Sequence, residues 1–269
     1  MLFVVALIKQ WCYNDCNISK GCVSVFNFFA DETKKQGNTY LITDNDYNHI
    51  KNVLRMQEGE KLLVSIGGKS DLCEIEKFDL NAVIVKIVEE NYQSTELETK
   101  IYLFQGLPKS DKMELIIQKA VELGVCAIVP VEMTNCVVKL DDKKKKSKQT
   151  RWQAISESAA KQSKRNTIPE VFDAVPYKKA VDMAKELDLV LVPYENEDGM
   201  IATKNALEGL KNAKSVGIFI GPEGGFNPKE IDLVKENGGK IISLGKRILR
   251  TETAAITAVS MCMLNIEMN

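Results

Sequence analysis

The sequence predicts a two-part α/β protein: a small β-barrel followed by a larger domain built on a parallel sheet covered by helices. Three observations point there. Short β-branched and aromatic runs, separated by glycine turns, fill residues 23–91. After Lys100, strand-like and helix-like segments alternate. Three loops rich in glycine and polar residues then stand where predicted strands end. A length of 269 residues accommodates two ordinary domains, and a 45% hydrophobic content gives each a core.

The first 22 residues fall outside this plan. Met1–Ile8 is apolar, but Lys9 ends the run well short of the roughly 20 residues a membrane span needs. No basic residue precedes the run and no clear small-residue cleavage site follows it. Residues 1–22 therefore read as a poorly structured extension rather than a signal peptide. Strands are predicted at Val23–Ala30, Tyr40–Thr43, Lys61–Ser65, Asp71–Phe78 and Ala82–Glu89. A helix at Asp44–Leu54, capped by Asp44, turns Ile50, Val53 and Leu54 inward, and His49 reads as a structural residue on its face. This spacing suggests a barrel over residues 23–91.

Polar residues 92–99 read as a linker to residues 100–269. There, strands are predicted at Ile101–Gly106, Cys126–Val131, Leu189–Pro193, Val216–Ile220 and Lys240–Leu244. Helices are predicted at Ser110–Leu123, Trp152–Lys164, Thr203–Leu210, Asn227–Glu236 and Thr253–Ile266. Ser110 caps the first of these and Gly124 stops it. Asn227, Pro228 and Glu230 form a capping box. The last helix is apolar on nearly every side over residues 254–264, more than its own sheet can cover, which predicts a homodimer.

A net charge of -1 excludes a global field that recruits nucleic acid. A local one exists: ten Lys and Arg lie between Lys139 and Arg165, against three acids. Lys143–Lys146 alone reads as a solvated loop. Lys161, Lys164 and Arg165, with Arg55 of the first domain, are the candidate RNA contacts. Seven cysteines, an odd number, argue against a disulfide framework and for a reducing compartment, the cytoplasm. Cys12, Cys16 and Cys22 lack a fourth ligand nearby, and His49 is the only histidine, so no metal site is expected.

The three loops are Val192–Glu195, Gly221–Phe226 and Leu244–Ala254, at the sheet edge where parallel α/β proteins bind ligands. Gly221-Pro222-Glu223-Gly224-Gly225-Phe226 matches neither phosphate-binding nor dinucleotide-binding glycine patterns. Taken singly, it is an ordinary strand-to-helix turn, and Arg250-Thr251-Glu252-Thr253 an ordinary helix start.

Together the strings are specific. IGPEGGF (Ile220–Phe226) and LGKRILRTETA (Leu244–Ala254) resemble the cofactor loops of the small-subunit (16S) ribosomal RNA uracil-N3 methyltransferase family of the SPOUT superfamily. Gln105–Val125 and Arg151–Arg165 are similar to its catalytic domain, and His49–Leu62 to its N-terminal PUA-like domain. The resemblance spans about residues 23–269. It departs at Asn27, where the family commonly carries a basic residue.

The resemblance implies a PUA-like β-barrel before a SPOUT-type trefoil-knotted parallel α/β domain, a homodimer, and methyl transfer from S-adenosylmethionine to N3 of a uridine in 16S ribosomal RNA of the small subunit. It places the cofactor between the three loops. Leu191, Tyr194, Ile220, Leu244, Ile248 and Leu249 would supply apolar walls, and Gly221, Gly224, Gly225 and Gly245 close backbone, with Pro222, Glu223 and Thr253 beside them. Arg250 is the candidate catalytic residue, because a guanidinium can stabilise the charge that spreads over the uracil carbonyls as N3 loses its proton. Glu252 would accept that proton or orient Arg250; Glu223 and Glu195 are weaker candidates. Two rivals remain open: a ribose 2′-O-methyltransferase of the same superfamily, and a ribosome-assembly protein without catalysis.

Overall fold

The computed structural model describes residues 25–92, 94–194 and 199–268. The expected extension, Cys12, Cys16, Cys22, the start of the first predicted strand and Glu195 lie outside the described residues.

The N-terminal part is a six-stranded sheet. Its strands are β1 (Phe26–Phe29), β2 (Lys35–Gln36), β3 (Thr39–Thr43), β4 (Lys61–Ile66), β5 (Lys69–Phe78) and β6 (Ala82–Glu89). They run in the order β1-β4-β5-β6-β3-β2; β1 pairs parallel with β4 and the other pairs are antiparallel. Alternation fixes the inner face: Val83, Val85 and Ile87 of β6 and Tyr40 and Ile42 of β3 are buried. The predicted helix is α1 (Asp44–Asn48), which widens into a π-type turn over His49–Val53. Ile50 plugs the core, and the His49 ring meets Phe28 edge-on at 6.0 Å. Thr43, not Asp44, is the N-cap. Val53, predicted inward, is exposed.

The C-terminal part is an all-parallel sheet of β7 (Lys100–Gly106), β8 (Ala127–Glu132), β9 (Glu170–Val171), β10 (Val175–Pro176), β11 (Leu189–Pro193), β12 (Ser215–Ile220) and β13 (Lys240–Ile242). Its order is β10-β8-β7-β12-β11-β13, with β9 on β8. The central strands are near-continuous apolar runs because helices cover the sheet. Phe104 and Phe219 stack at 4.5 Å across β7 and β12.

The helices are α2 (Lys112–Glu122), α3 (Asp142–Gln162), α4 (Tyr177–Ala184), α5 (Gly199–Glu208), α6 (Pro228–Glu236) and α7 (Thr251–Glu267). Asp111, not Ser110 (φ +56°), holds the N-cap position of α2, without a side-chain cap bond, and Gly124 (φ +92°) ends its turn as predicted. The capping box of α6 is present. The predicted start of α3 at Trp152 lies ten residues too late. Asp141 caps the helix by accepting from Lys144 N at 2.8 Å, and the run Lys143–Lys146 is helical rather than a loop. No described helix is long and apolar enough to cross a membrane.

A buried polar clasp joins the two parts, and it overturns one expectation. Arg165, predicted to face RNA, is only 3% exposed. Its guanidinium pairs with Glu96 and donates to the carbonyls of Val125 (2.6 Å) and Val121 (3.2 Å). Its own carbonyl accepts from Asn27 Nδ2 at 2.8 Å, and Asn27 Oδ1 accepts from Ser65 Oγ. Asn166 Nδ2 donates to Ser70 Oγ. The departure at Asn27 thus serves this interface. Lys161 is likewise engaged, with Asp46 at 2.9 Å and Glu157 at 3.0 Å. Of the predicted contacts, Arg55 and Lys164 stay exposed.

Burial would raise the Glu96 carboxyl, but the hydrogen bond and charge of Arg165, with bonds from Thr167 and Asn166, hold it below its ordinary 4.5. A depressed carboxylate stabilises the fold above its unfolded value and loses that contribution as pH falls through its folded one. Arg165→Met strands a largely buried carboxylate and should cost about 3 kcal/mol in denaturant unfolding. Glu96→Gln should flatten the loss of stability below about pH 4.5; an unchanged acid limb in that variant would reject the clasp as its source.

Candidate functional site

At the carboxyl edge of the sheet, three loops enclose a cavity of about 790 Å³. The first loop follows β11: Pro193 and Tyr194 line the wall, and Tyr194 N donates to Ile242 O at 3.0 Å. The Tyr194 ring meets Phe226 edge-on at 6.3 Å. The second loop follows β12. Gly221 sits tightly, since a Cβ there would lie 3.1 Å from the Phe226 ring and push it aside, and Gly225 turns with φ +68°. The third follows β13. Thr203 Oγ1 of α5 donates to Ser243 O and accepts from Ser243 N, and Gly245 (φ +104°) opens the descent to α7.

Two networks hold this geometry. The Thr251 hydroxyl donates to Gly221 O at 2.6 Å and accepts from Gln105 Nε2 at 2.9 Å, tying the second loop, β7 and the start of α7 together. Beneath the glycines, Asn135 Nδ2 donates to Gly224 O and Gly225 O. Glu230 of the capping box accepts from Thr134 N and Oγ1, which fixes the loop carrying Asn135.

Of the predicted cofactor residues, Tyr194, Ile220, Gly221, Pro222, Glu223, Gly225, Leu244, Gly245, Ile248 and Leu249 line the cavity. Three do not. Leu191 is 1% exposed within β11, in the core. Gly224 faces the other way, onto Asn135. Thr253 points to solvent, because the helix turns Thr251 and Ala254 to the cavity instead. Arg250 lines the rim with Lys246 and Arg247, all exposed.

Glu252 is not paired with Arg250. Its Oε2 lies 3.2 Å from Lys112 Nζ, and Lys112 also pairs with Glu223 at 3.0 Å. Lys112 lines the cavity, unforeseen although it stands on the first turn of α2, just beyond the carboxyl end of β7. Hydrogen bonds from Lys112 to Glu223 and Glu252 raise its pKa. Burial alone would raise Glu223, but backbone bonds and the Lys112 contact outweigh it and hold this carboxyl below its usual range. Glu223, not Glu252, is the carboxylate on the cavity wall.

The cavity can hold a small organic ligand. It offers apolar side chains for a flat ring, glycine backbone for close polar contact, and a cationic rim for an anionic partner. Gly224→Ala places a methyl 2.9 Å from Asn135 Cβ and 3.0 Å from Asn135 O. It should cost about 1–3 kcal/mol in thermal unfolding and loosen ligand binding by displacing the loop. A variant as stable as the parent would show that this contact yields freely.

Known proteins share this arrangement. The RNA methyltransferase domain family matches residues 95–263, and the RNA methyltransferase PUA domain matches residues 42–88. The ribosomal RNA small subunit methyltransferase E of Bacillus subtilis is 39% identical over 240 residues, covering 87% of this chain and 94% of its own. That of Aquifex aeolicus is 32% identical, covering 88% and 98%. The crystal structure of the Neisseria gonorrhoeae enzyme bound to S-adenosyl methionine superposes with a TM-score of 0.76 at 30% identity, over 89% of this chain and 97% of that one. The chain belongs to the RNA methyltransferase family, with its PUA domain, that includes these ribosomal RNA small subunit methyltransferases E.

Proposed function

We propose that this chain methylates N3 of a uridine in 16S ribosomal RNA of the small subunit, with S-adenosylmethionine as donor, in the cytoplasm. The observation that carries the reading is the three-loop cavity with its cationic rim, in a chain whose Neisseria relative is described with S-adenosyl methionine. When bound, the cofactor supplies a methyl group already activated by its sulfonium. Ile220, Leu244 and Leu249, with the backbone of Gly221, Gly225 and Gly245, would hold it. The N3 position of a uridine, against a ribose hydroxyl, is tested by mass spectrometry of 16S RNA from a strain deleted for the gene: loss of a 3-methyluridine supports it, and loss of a 2′-O-methyl nucleoside overturns it.

This chain's part in the chemistry is electrostatic. N3 of uracil exposes its lone pair only as its proton leaves, and charge then spreads to the flanking carbonyls. Arg250, at the start of α7, has its guanidinium free of any cap bond and beside the cavity. From there it can donate two hydrogen bonds to that charge, and the helix N-terminus adds partial positive charge. Glu223, kept ionised on the wall by Lys112, can relay the departing proton to solvent. Glu252 acts behind it, fixing Lys112 and through it Glu223.

Arg250→Ala should bind S-adenosylmethionine nearly as the parent does but turn over about 10²–10³-fold more slowly. Activity should recover in part as pH rises and N3 ionises unaided. Lost cofactor binding or full activity would refute the assignment.

A homodimer completes the reading. In one chain α7 buries a single stripe (Thr251, Ala255, Ala258, Val259 and Cys262), while Leu264 is 49% exposed and Ile256 and Met263 are half-buried. A partner subunit would cover that outer face. Sedimentation at micromolar concentration should show a dimer; a monomer alone would exclude it.

A further inference from the structure

The basic stretch found in the sequence divides in the structure. Arg165 and Lys161 are committed to the domain clasp, and Arg151 pairs with Glu114 at 2.8 Å. The charge that remains lies in the first half of α3 and just before it. That half is physically unusual. At about 1.5 Å per residue the 21-residue helix is roughly 30 Å long. Its buried residues are Trp152, Ser156, Ala159 and Ala160, all in the second half. Residues 142–151 bury no side chain fully, and they are tied down by polar contacts such as Gln149 Nε2 to Val171 O at 2.9 Å.

Lys143, Lys144, Lys145, Lys146 and Lys148 crowd this half. Lysines at 143/146, 144/148 and 145/148 fall at repulsive i,i+3 or i,i+4 spacings, and cations in a first turn oppose the helix dipole. Asp141 offsets Lys144 at 3.1 Å and Glu132 offsets Lys145 at 2.9 Å. Lys143, Lys146 and Lys148 form no ion pair among the described residues. The helix thus concentrates charge at a cost to its own stability, as expected where local rules yield to function.

Its placement says which function. The Lys145–Glu132 pair sets this half at the carboxyl end of β8. The loop between them holds Asn135 against the Gly224 and Gly225 carbonyls of the cavity loop. The other end reaches the N-terminal sheet through Lys161–Asp46 and the Asn27–Arg165 bond. We propose that Lys143 and Lys146, one turn apart on the same face of α3, with exposed Lys139 in the loop just before the helix, form a docking ridge for the phosphate backbone of the substrate RNA at the cavity end of α3. The proposal rests on the reading of the chain as an RNA methyltransferase. Separated ammonium groups grip phosphates and carry no base-edge code, so the ridge sets affinity and register rather than the target base.

The test compares full-length Lys139→Gln/Lys143→Gln/Lys146→Gln with a control triple at the opposite sheet edge, Lys211→Gln/Lys214→Gln/Lys235→Gln. The probe is small ribosomal subunits from a strain deleted for the gene. In the ridge variant, affinity should fall about 10–100-fold at low salt, and the slope of log K against log salt should shrink by about 2–3. Its KM for the subunit should rise while kcat and S-adenosylmethionine affinity hold. Its melting temperature should not fall, because repulsion has been removed. The control triple should change none of these. An unaltered salt slope overturns the ridge, as does a loss confined to vesicles of anionic phospholipid. A parent protein that binds the cofactor but methylates no RNA would instead sink the functional reading.

Discussion

The hydroxyl of Thr251 is the constraint on which the site depends. It donates to Gly221 O and accepts from Gln105, so one oxygen joins the end of β7, the loop after β12 and the start of α7. Gly106 abuts Pro222 so closely that a Cβ there would lie 2.8 Å from the proline. Strand ends this near leave no room for a flexible loop. The cavity above is therefore built from backbone whose position is set by the sheet, which is the preorganisation that a bound ligand requires.

The same economy appears at a distance. An interface between two folded parts hinges freely unless polar groups with defined geometry fix it. Here Arg165 and Glu96 are bonded to each other and to backbone of the C-terminal part, while Asn27 of β1 donates to the Arg165 carbonyl and Asn166 donates to Ser70 of β5 across the interface. Because α3 runs from that clasp to the loop beneath Gly224 and Gly225, the orientation of the N-terminal sheet is carried by a rigid rod to the cavity edge. The two parts are thereby kept at a fixed offset.

Elements with strong local patterns were legible in the sequence. Leu189–Pro193 and Ala82–Glu89 coincide with their predicted spans, and the capping box of α6 is present. What escaped depended on tertiary context. The helix α4 buries Tyr177, Ala180, Val181 and Ala184 at helical spacing, a signal present in the sequence but preceded by two strands of only two residues. The lysine run gave no apolar period, so nothing local extended α3 back to Asp142; the Asp141 cap and the Lys145–Glu132 pair do so. For the loops, strings named the region but not each side chain's direction. Thr251 and Thr253 are equivalent in sequence, and only the phase of α7 against Gln105 turns one inward.

Charge shows most clearly why sequence neighbours can part company. Arg165 and Lys164 are adjacent, both cationic, at the end of one helix. Lys164 takes a φ of +58°, which reverses the chain and sends the next side chain under the helix. There a guanidinium has advantages an ammonium lacks: its planar fork bonds one carboxylate through two nitrogens while a third reaches the carbonyls of Val121 and Val125. Burying that charge is tolerable because every direction of the fork finds an oxygen. Lys164, with one terminal nitrogen, stays in water. A basic patch read from sequence is therefore a sum over groups with opposite fates, and the part able to meet an anion is the part that packing leaves unpaired.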